Sequence, residues 1–293
     1  MTGQRRAVLI AGPTASGKSA LALELARTTA SVIVNADAMQ VYDTLAVVTA
    51  RPEKSELAQA DHRLYGTVPA ATRFSTGQWL TAAKSVIDAT DGPLIFIGGT
   101  GLYFDALQNG FADVPQVPLA LTQEIATEIE ALDGAQRLAL LEQEDPATAA
   151  RLGVADPQRL IRALAVKRAT GQTLSSFQAA PQSGLLGDFA VERLVLDPDR
   201  DVLRARIARR FEAMFSGGAV AEVEALRAQQ LDPSLPIMKA IGVREVGDWL
   251  DGTLSRSDAI KLATTATHQY AKRQRTWFRN RMGDWPRRGI AGA

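Results

Sequence analysis

The sequence lacks several features that would assign the chain to a class at once. It has no cysteine, which excludes disulfides and thiolate metal sites and suits a reducing compartment. Only two histidines occur, and no ligand-type residue stands at metal-binding spacing from His62, so a metal site there is not expected. No apolar run is long enough to span a bilayer, and the N-terminus leads directly into a predicted strand without a secretory segment. We therefore expect a cytoplasmic protein with no membrane partner.

An excess of charge of one sign is also missing. The chain has 33 Lys and Arg residues against 32 Asp and Glu residues, so its formal net charge is +1. Such a value does not by itself indicate a polyanionic partner, and any nucleic-acid surface must come from local clusters of charge. The chain does have 46% hydrophobic residues over 293 positions, enough for the core of one large domain or two smaller ones.

A glycine-cornered loop follows the first apolar run of the chain. The run at 7–11 predicts a buried strand and the pattern at 20–30 predicts a helix, which is the context in which the G-x-x-x-x-G-K-[ST] motif binds phosphate. The loop, called the phosphate loop below, consists of Gly12, Pro13, Thr14, Ala15, Ser16, Gly17, Lys18 and Ser19. Its N–H groups, the helix N-terminus and Lys18 favour an anion, and Ser19 offers an oxygen to phosphate-bound Mg²⁺. The loop predicts a diphosphate or nucleotide site but leaves the reaction open.

Two more predicted strands end in polar residues. The strand at 31–36 is followed by Asp37, and the strand at 93–97 is followed by two glycines and Thr100. The carboxyl ends of strands in an open parallel sheet face one crevice, so Asp37 and Thr100 are expected beside Lys18. A turn or a helix cap would use the same residue types, and these readings stay open at this point.

The character of the chain changes near Asn109. No convincing strand follows until about residue 187, whereas apolar residues repeat at helical spacing. We predict an α/β core formed by residues 1–112 and 188–293, with an all-helical insertion at 113–187. The helix that opens at Pro157 has no acidic residue before Gly171, and its cations are Arg159, Arg162, Lys167 and Arg168. Contact with a phosphate backbone therefore competes with a merely solvated surface.

Basic residues also cluster after the insertion. A predicted helix at 201–215 carries four arginines, at positions 204, 206, 209 and 210. The segment at 268–281 interleaves cations with Tyr270, Trp277 and Phe278, a combination of charge and stacking groups that RNA-binding proteins use. The alternative is that the aromatic residues pack inward and the cations are only exposed.

Several motifs occur in one order along nearly the whole chain. They are GPTASGKS at 12–19, NADAMQVY at 35–42, TARP at 49–52, GGTGLY at 98–103, DPQRLIRAL at 156–164, MKAIG at 238–242 and AKRQRTWF at 271–278. In this order they resemble the tRNA dimethylallyltransferase family, the isopentenyl-tRNA transferases. The first motif is shared by many unrelated enzymes, whereas the ordered set is highly specific.

The resemblance implies a fold and a reaction. The fold would be a P-loop NTPase-like parallel sheet flanked by helices, with the helical insertion. The reaction would move a dimethylallyl group from dimethylallyl diphosphate to N6 of adenine 37, beside the anticodon of tRNAs that read codons starting with U. Asp37 would accept the amine proton, Thr100 would contact the reacting region, and Lys18, Arg206 and Mg²⁺ on Ser19 would neutralise the diphosphate.

The resemblance also implies contacts with the anticodon stem-loop of a tRNA and a monomeric enzyme. The expected contacts are Asp37, Ala38, Met39, Gln40 and Thr100 around a flipped-out base, Thr122, Gln158, Arg159, Leu160, Ile161 and Arg162 in the insertion, and Lys272, Arg273 and Arg275 near the C-terminus. The chain departs from the family pattern at Ala38, where serine is usual, and at His268, where arginine is usual. Thr122 stands where relatives often have a basic residue.

Three other functions compete with this interpretation. A small-molecule kinase would share the phosphate loop but would have no use for the basic insertion. A prenyltransferase for free adenine nucleotides would be expected to lack a tRNA-binding insertion. An RNA-binding module with a nucleotide switch would need no base beside the phosphates, which Asp37 argues against.

Overall fold

The apolar runs predicted as strands lie side by side in one sheet. The computed structural model describes residues 4–152, 156–180 and 182–289. Its six strands are β1 (Arg5–Ala11), β2 (Val32–Asn35), β3 (His62–Arg63), β4 (Leu94–Gly98), β5 (Phe189–Leu196) and β6 (Arg287–Arg288). The strand order is β3-β2-β4-β1-β5-β6, and every neighbouring pair is parallel. The predicted α/β class with a parallel sheet is therefore confirmed.

Helices connect the strands and form a second group in the middle of the chain. In chain order they are α1 (Lys18–Thr29), α2 (Lys54–Leu57), α3 (Thr76–Asp88), α4 (Gly101–Asn109), α5 (Leu119–Glu130), α6 (Gly134–Glu144), α7 (Pro146–Leu152), α8 (Pro157–Thr170), α9 (Leu174–Ala179), α10 (Arg200–Ser216), α11 (Ala219–Ala228), α12 (Val243–Leu250) and α13 (Arg256–Arg281). None of these helices in the described ranges combines the length and apolar composition needed to cross a bilayer.

The central strands are apolar because both faces of the sheet are covered. In β1, Ala7, Leu9 and Ala11 pack into one core cluster, while Ile10 and the partly buried Val8 pack into another. Strand side chains alternate between faces, so this division means that each face has its own core. Helix α1 covers one face through Ala22, Leu23 and Ala26. Helix α3 contributes to the opposite core, together with α4 and α10 to α13. Near-continuous apolar runs are typical of strands buried in this way.

The chain divides into two compact units. One consists of Met1–Gln108 with Leu185–Ala293 and is called the α/β unit; the other, Asn109–Gly184, is called the helical unit. The sequence analysis placed these boundaries at 113 and 187. The described residues of the helical unit contain no strand. Its core is formed by apolar residues of α5, α6 and α8, among them Ile125, Leu141 and Leu164.

Two strands were missed by the sequence analysis. β3 and β6 contain two residues each and lie at the two edges of the sheet, so no apolar run marks them. His62 belongs to β3, and its Nδ1 lies 2.8 Å from the backbone oxygen of Ala60.

Candidate active site

The phosphate loop lies between β1 and α1, where the sequence placed it. Gly17 has φ 90° and Ala15 has φ 60°, so the loop uses left-handed backbone at two positions. Such positions turn successive N–H groups toward one side, which is how a loop of this kind surrounds an anion. Ser16 is fully buried, and its N–H donates to Pro13 O over 3.2 Å. The eight predicted loop residues thus form one continuous segment from the carboxyl end of β1 into the first turn of α1.

Lys18 is folded back onto the loop. Its Nζ donates to Gly12 O and Pro13 O, both at 2.8 Å. Burial lowers the pKa of this ammonium group to about 8, while the charge of Asp37 raises it and that of Arg210 lowers it further. A third, longer bond of 3.5 Å goes to Ser16 Oγ, so all partners of the ammonium group are neutral, and an incoming diphosphate would form stronger charge-assisted bonds.

Ser19 is exposed in the first turn of α1. Among residues 4–152, 156–180 and 182–289, no hydrogen bond involves its hydroxyl, and no group of three or more histidine or carboxylate side chains could hold a metal ion. A magnesium ion at Ser19 would therefore need oxygens of the bound diphosphate and of water to complete its shell.

A buried asparagine shapes the turn that carries Asp37. Asn35 Nδ2 donates to the backbone oxygens of Asp37 and Leu64, both at 3.0 Å, and its Oδ1 accepts from Asp37 N–H at 2.9 Å. Asp37 Oδ1 in turn accepts from Met39 N–H at 2.9 Å. The carboxylate is therefore anchored through one oxygen. The sequence analysis did not single out Asn35, although a polar residue closing the apolar run of β2 is the signal that could have done so.

Thr100 is joined directly to the same turn. Its N–H donates to Ala36 O at 3.2 Å, and its Oγ1 accepts from Ala38 N–H at 3.0 Å. These two bonds tie the end of β4 to the end of β2, since Thr100 and Ala36 follow neighbouring parallel strands. Asp37 and Thr100 are thus brought together at one edge of the sheet, as the sequence predicted from strand order.

Asp37 lies among cations and phenols. Its charge acts on Lys18 and on the guanidinium of Arg210, whose pKa is lowered by burial and raised by Asp37. The pKa values of Tyr65, Tyr103 and Tyr270 are raised, first by burial and then by the negative charge of Asp37. The carboxylate therefore sits in a partly desolvated setting, where its charge is felt more strongly than it would be in water.

The arginine that meets the phosphate loop is Arg210, and this corrects the choice of Arg206. Arg210 Nη1 donates to Thr14 Oγ1 at 3.2 Å, and Nη2 donates to Thr49 O at 3.3 Å. Arg206 lies one turn earlier in α10 and forms no hydrogen bond or ion pair with any described residue. Each arginine directly precedes a residue of the buried apolar stripe of α10. Only Arg210, one turn later, is close enough to hydrogen-bond to the phosphate loop.

The residues predicted to surround a flipped base are partly used by the fold. Gln40 Nε2 donates to Thr49 O and Ala50 O, both at 2.9 Å, which leaves Oε1 as its atom for a base. The loop that contains Thr49 is held from the other side by Glu222, whose carboxylate accepts the N–H groups of three consecutive residues, Ala46, Val47 and Val48. Ala38 and Met39 are half-buried beside Asp37.

Helix α13 has a buried face and a basic face. Gln274 is buried, and a Cβ at Gly101 would lie 2.1 Å from Nε1 of Trp277, so the helix packs closely against the start of α4. Lys272 and Arg273 are exposed, as an RNA contact requires. Phe278 and Gln274 are buried, Tyr270 and Trp277 are half-buried, and most cations are exposed, which is the arrangement of the structural alternative; contact of the exposed cations with RNA stays a prediction.

Arg275 differs from the other predicted contacts on α13. Its Nε lies 2.8 Å from Asp197 Oδ1, and Arg287 Nη1 lies 3.4 Å from the other oxygen of that carboxylate. The Arg275 charge is thus shared with an internal partner at the end of β5. Sequence reasoning could not pair it, because Asp197 stands on a distant segment of the chain.

In the helical unit, the predicted RNA contacts fall on different faces of α8 and on α5. Gln158, Arg159 and Arg162 are exposed, and Ile161 is half-buried. Leu160 is fully buried in the core of the unit, so its side chain is not exposed for the predicted RNA contact. Thr122 in α5 donates its hydroxyl to Pro118 O at 3.3 Å.

The basic stripe of α8 is partly compensated, contrary to expectation. Arg168 forms ion pairs with Glu128 of α5 at 2.5 Å and with Glu144 of α6 at 2.8 Å. The sequence of α8 alone could not reveal these carboxylates, because they lie on other helices. Arg162 has no ion pair among the described residues. Arg159 lies 3.8 Å from Asp156 at the start of the helix, whereas Lys167 donates to Gly171 O and, like Arg162, has no ion pair with a described residue.

Comparisons with known proteins agree with the geometry. A family model described as IPP transferase matches residues 40–281, and one described as isopentenyl transferase matches residues 5–72. A tRNA dimethylallyltransferase of Methylobacterium sp. (strain 4-46) is 50% identical over 281 residues, covering 95% of this chain and 92% of the relative. The tRNA dimethylallyltransferase of Rhizobium meliloti (strain 1021) is 46% identical over 286 residues, covering 96% and 94%.

Solved structures show the same likeness. The full-length tRNA isopentenylpyrophosphate transferase of Bacillus halodurans matches with a TM-score of 0.66 at 28% identity, covering 98% of this chain and 90% of that one. A eukaryotic dimethylallyltransferase acting on tRNA matches with a TM-score of 0.80 at 25% identity, covering 97% and 74%. The predicted P-loop NTPase-like class is confirmed by these neighbours. Because one family model spans most of the chain and a relative shares half of its residues, the chain belongs to the IPP transferase family, the tRNA dimethylallyltransferases.

Proposed function

We propose that the chain transfers the dimethylallyl group of dimethylallyl diphosphate to N6 of adenine 37 in tRNAs that read codons beginning with U. The observation that carries the proposal is the joining of Asp37 and Thr100 at the same sheet edge as the phosphate loop. A site for a diphosphate thus adjoins a carboxylate that can receive a proton. The names of the relatives support tRNA as the acceptor.

The cationic side chains would bind and activate the donor. Lys18 and Arg210 lie at the phosphate loop, where their charges oppose the negative charge that grows on the leaving diphosphate as the C–O bond breaks. The diphosphate leaves with the electron pair of that bond. The Ser19 hydroxyl would hold Mg²⁺ together with the bound diphosphate, and the ion would supply further neutralisation of the same charge.

The acceptor amine would be placed and deprotonated at the end of β2. The N6 nitrogen attacks the allylic carbon, forming the N–C bond, and its proton passes to the carboxylate of Asp37. One oxygen of that carboxylate is held by Met39 N–H, so the other can face the amine. The Thr100 hydroxyl oxygen already accepts from Ala38 N–H, so its proton can be donated to the reacting region.

Binding of the anticodon stem-loop requires surfaces beyond the reacting base. Adenine 37 must leave the stacked loop to enter a crevice at the sheet edge. We assign backbone contacts to the exposed cations Arg159, Arg162, Lys272 and Arg273, with Gln158, Ile161 and Thr122 as further contacts in the helical unit. Arg275 would contribute only the part of its charge that Asp197 leaves unshielded.

We further propose that the enzyme is a monomer and works in the cytoplasm. The absence of cysteine suits a reducing compartment, and unmodified tRNA is found there. Size-exclusion chromatography of the purified protein tests the first statement directly.

The reaction is tested with purified protein, Mg²⁺, labelled dimethylallyl diphosphate and three acceptors. The acceptors are a stem-loop with three consecutive adenines ending the anticodon loop, the same stem-loop with guanine at position 37, and free AMP. Guanine has no N6 amine, so label should enter the first RNA alone. Label in AMP alone would make the protein a prenyltransferase of free nucleotides. Label in the stem-loop with guanine at position 37 would show that N6 of adenine 37 is not the acceptor atom.

A further inference from the structure

Gln274 connects two loops that are far apart in the sequence. Its Nε2 donates to Gly99 O at 3.0 Å, and its Oε1 accepts from Thr14 N–H at 2.9 Å. A backbone N–H can only donate and a carbonyl oxygen can only accept, so these partners fix the orientation of the amide. The side chain is 4% exposed, which means that neither bond is readily replaced by water. A single buried amide thus joins the phosphate loop to the turn before Thr100.

Thr14 is held on two sides as a result. Its N–H is engaged by Gln274, and its hydroxyl accepts from Arg210 Nη1 at 3.2 Å. The N–H of this loop residue is therefore directed to a protein side chain rather than to a bound anion. Its contribution is to place the loop and not to bind the diphosphate.

The glycine at position 99 is explained by the same amide. A Cβ there would lie 2.1 Å from Gln274 Nε2 and 3.4 Å from Asp37 Oδ2. Gly99 does not have a positive φ, so its backbone conformation is open to alanine. The space beside Asp37 that a methyl group would fill is taken by the Gln274 amide.

We propose that Gln274 is a positioning residue that sets the distance between the diphosphate and the amine that attacks. The assignment rests on the proposed function. The leaving group is bound by the phosphate loop and the acceptor by Asp37 and Thr100, and Gln274 is hydrogen-bonded to both segments. Transfer reactions depend steeply on the separation of reacting atoms, and an error of about 1 Å can cost about 100-fold in rate. Each half of the site can still bind its own substrate when the connection is lost.

The first test replaces the amide with an apolar side chain of similar length. We expect Gln274→Met to lower kcat by about 10- to 100-fold, with the KM values of both substrates changed by less than about threefold. Gln269→Met is the matched control, since Gln269 is exposed on the same helix. Thermal unfolding of both variants shows whether the fold is kept. A rise in both KM values with an unchanged kcat would overturn the assignment.

The second test uses the steric relation between Gly99 and Gln274. Gly99→Ala should displace the amide and lower kcat as Gln274→Ala does. In the Gln274→Ala background, however, the added methyl group has room, so Gly99→Ala should cost less than about twofold more. Losses that multiply in the double variant would mean that the two residues act separately, and the assignment would fail. A wild-type enzyme without transfer activity would overturn the proposed function and this assignment with it.

Discussion

The two units of the chain use their buried polar side chains in opposite ways. In the α/β unit, Asn35 and Gln274 are buried and hydrogen-bond to backbone turns that carry the candidate site residues. In the helical unit, Asp145 is 1% exposed and its two oxygens accept four bonds from Thr148 and Ser175. The first pattern holds loops around a carboxylate whose second oxygen stays available. The second pattern satisfies every lone pair within the packing of the helices themselves.

The difference indicates which unit is built for chemistry. A site that must change protonation or bind an anion needs groups whose hydrogen-bonding capacity is not fully used by the fold. Asp37 keeps one carboxylate oxygen without a bond from the described residues, and Lys18 has only neutral partners, whereas Asp145 and Arg168 in the helical unit are fully bonded or paired with opposite charges. The helical unit offers its uncompensated charge at the surface, where it suits recognition of a large polyanion.

The largest expected effect tests the open carboxylate of the α/β unit. Asp37→Asn should lower the transfer rate by about 1000-fold, because the amide cannot accept the amine proton. Binding of the stem-loop and of the donor should change by less than about threefold. Asp88→Asn, on the exposed side of α3, serves as the control. Rates are measured in single-turnover experiments, and near wild-type transfer by Asp37→Asn would exclude the general-base role.

The next largest effect on kcat is expected from the arginine of α10 that contacts the phosphate loop. Arg210→Met should lower kcat by about 100-fold, because a charge facing the leaving diphosphate is lost. Arg209→Met removes an exposed charge from the same helix and should cost less than about threefold. A larger loss of kcat in Arg206→Met than in Arg210→Met would assign the diphosphate contact to Arg206 instead.

Asp145 tests the closed network of the helical unit. Asp145→Ala should destabilise the unit by about 2 to 4 kcal/mol, because the donors of the buried Thr148 and the half-buried Ser175 lose their acceptor. Asp133→Ala removes a helix cap at the exposed start of α6 and should cost about 1 kcal/mol. Stability is measured by urea denaturation of the whole chain, with proteolysis inside the helical unit as the local probe. Equal losses of unfolding free energy in the two variants would mean that burial does not increase the contribution of Asp145 to stability.

The same residue gives the helical unit a pH dependence. Burial by itself raises the pKa of Asp145, but the bonds from Thr148 and Ser175 lower it more, so the net shift is downward. A lowered pKa in the folded state means that the stabilisation is complete above the ordinary value of 3.8 and is lost as pH falls through the lowered one. The stability difference between wild type and Asp145→Ala should therefore shrink only in acid.

The smallest expected effect concerns the ammonium group of the phosphate loop. The pKa of Lys18 is lowered to about 8, so the cation predominates below that pH and is lost above it. The kcat/KM for the donor should then fall about tenfold between pH 8.5 and 9.5. In Lys18→Arg the charge persists, so the decline should be absent even if activity is lower. A wild-type profile that is flat to pH 9.5 would contradict the shift.

The phosphate loop and the turns at Asp37 and Thr100 could be predicted because each is a short contiguous signal. A phosphate-loop motif between a strand and a helix lies at the carboxyl end of that strand. In a parallel sheet the turns after the other strands lie at the same edge, which brings Asp37 and Thr100 beside the loop. The predicted helix at 201–215 was also nearly right, since its apolar stripe at Leu203, Ile207 and Phe211 is regular. Sequence pattern was thus sufficient for features that depend on one short segment or on the order of the strands.

The remaining features depend on contacts between distant segments. Arg206 and Arg210 have the same relation to the apolar stripe, so only the distance of each turn from the phosphate loop separates them. Arg168 looked uncompensated because its carboxylates belong to α5 and α6. Gln274 was included in a motif interpreted as an RNA surface, and its burial follows from the packing of α13 against the two loops. The spacing of these residues in the sequence indicates none of these contacts.

The position of β1 in the sheet has a consequence for how the protein is made. β1 lies between β4 and β5, and β5 is separated from β4 by the whole helical unit. A ribosome therefore releases the first half of the sheet with one edge of β1 unpaired, and the helical unit emerges before the strand that covers that edge. Helix α13, which carries Gln274 and thereby joins the two loops of the site, emerges later still. A nascent chain consequently cannot assemble the site before α13 is made, and a chain truncated before Gln274 would leave the two loops unconnected.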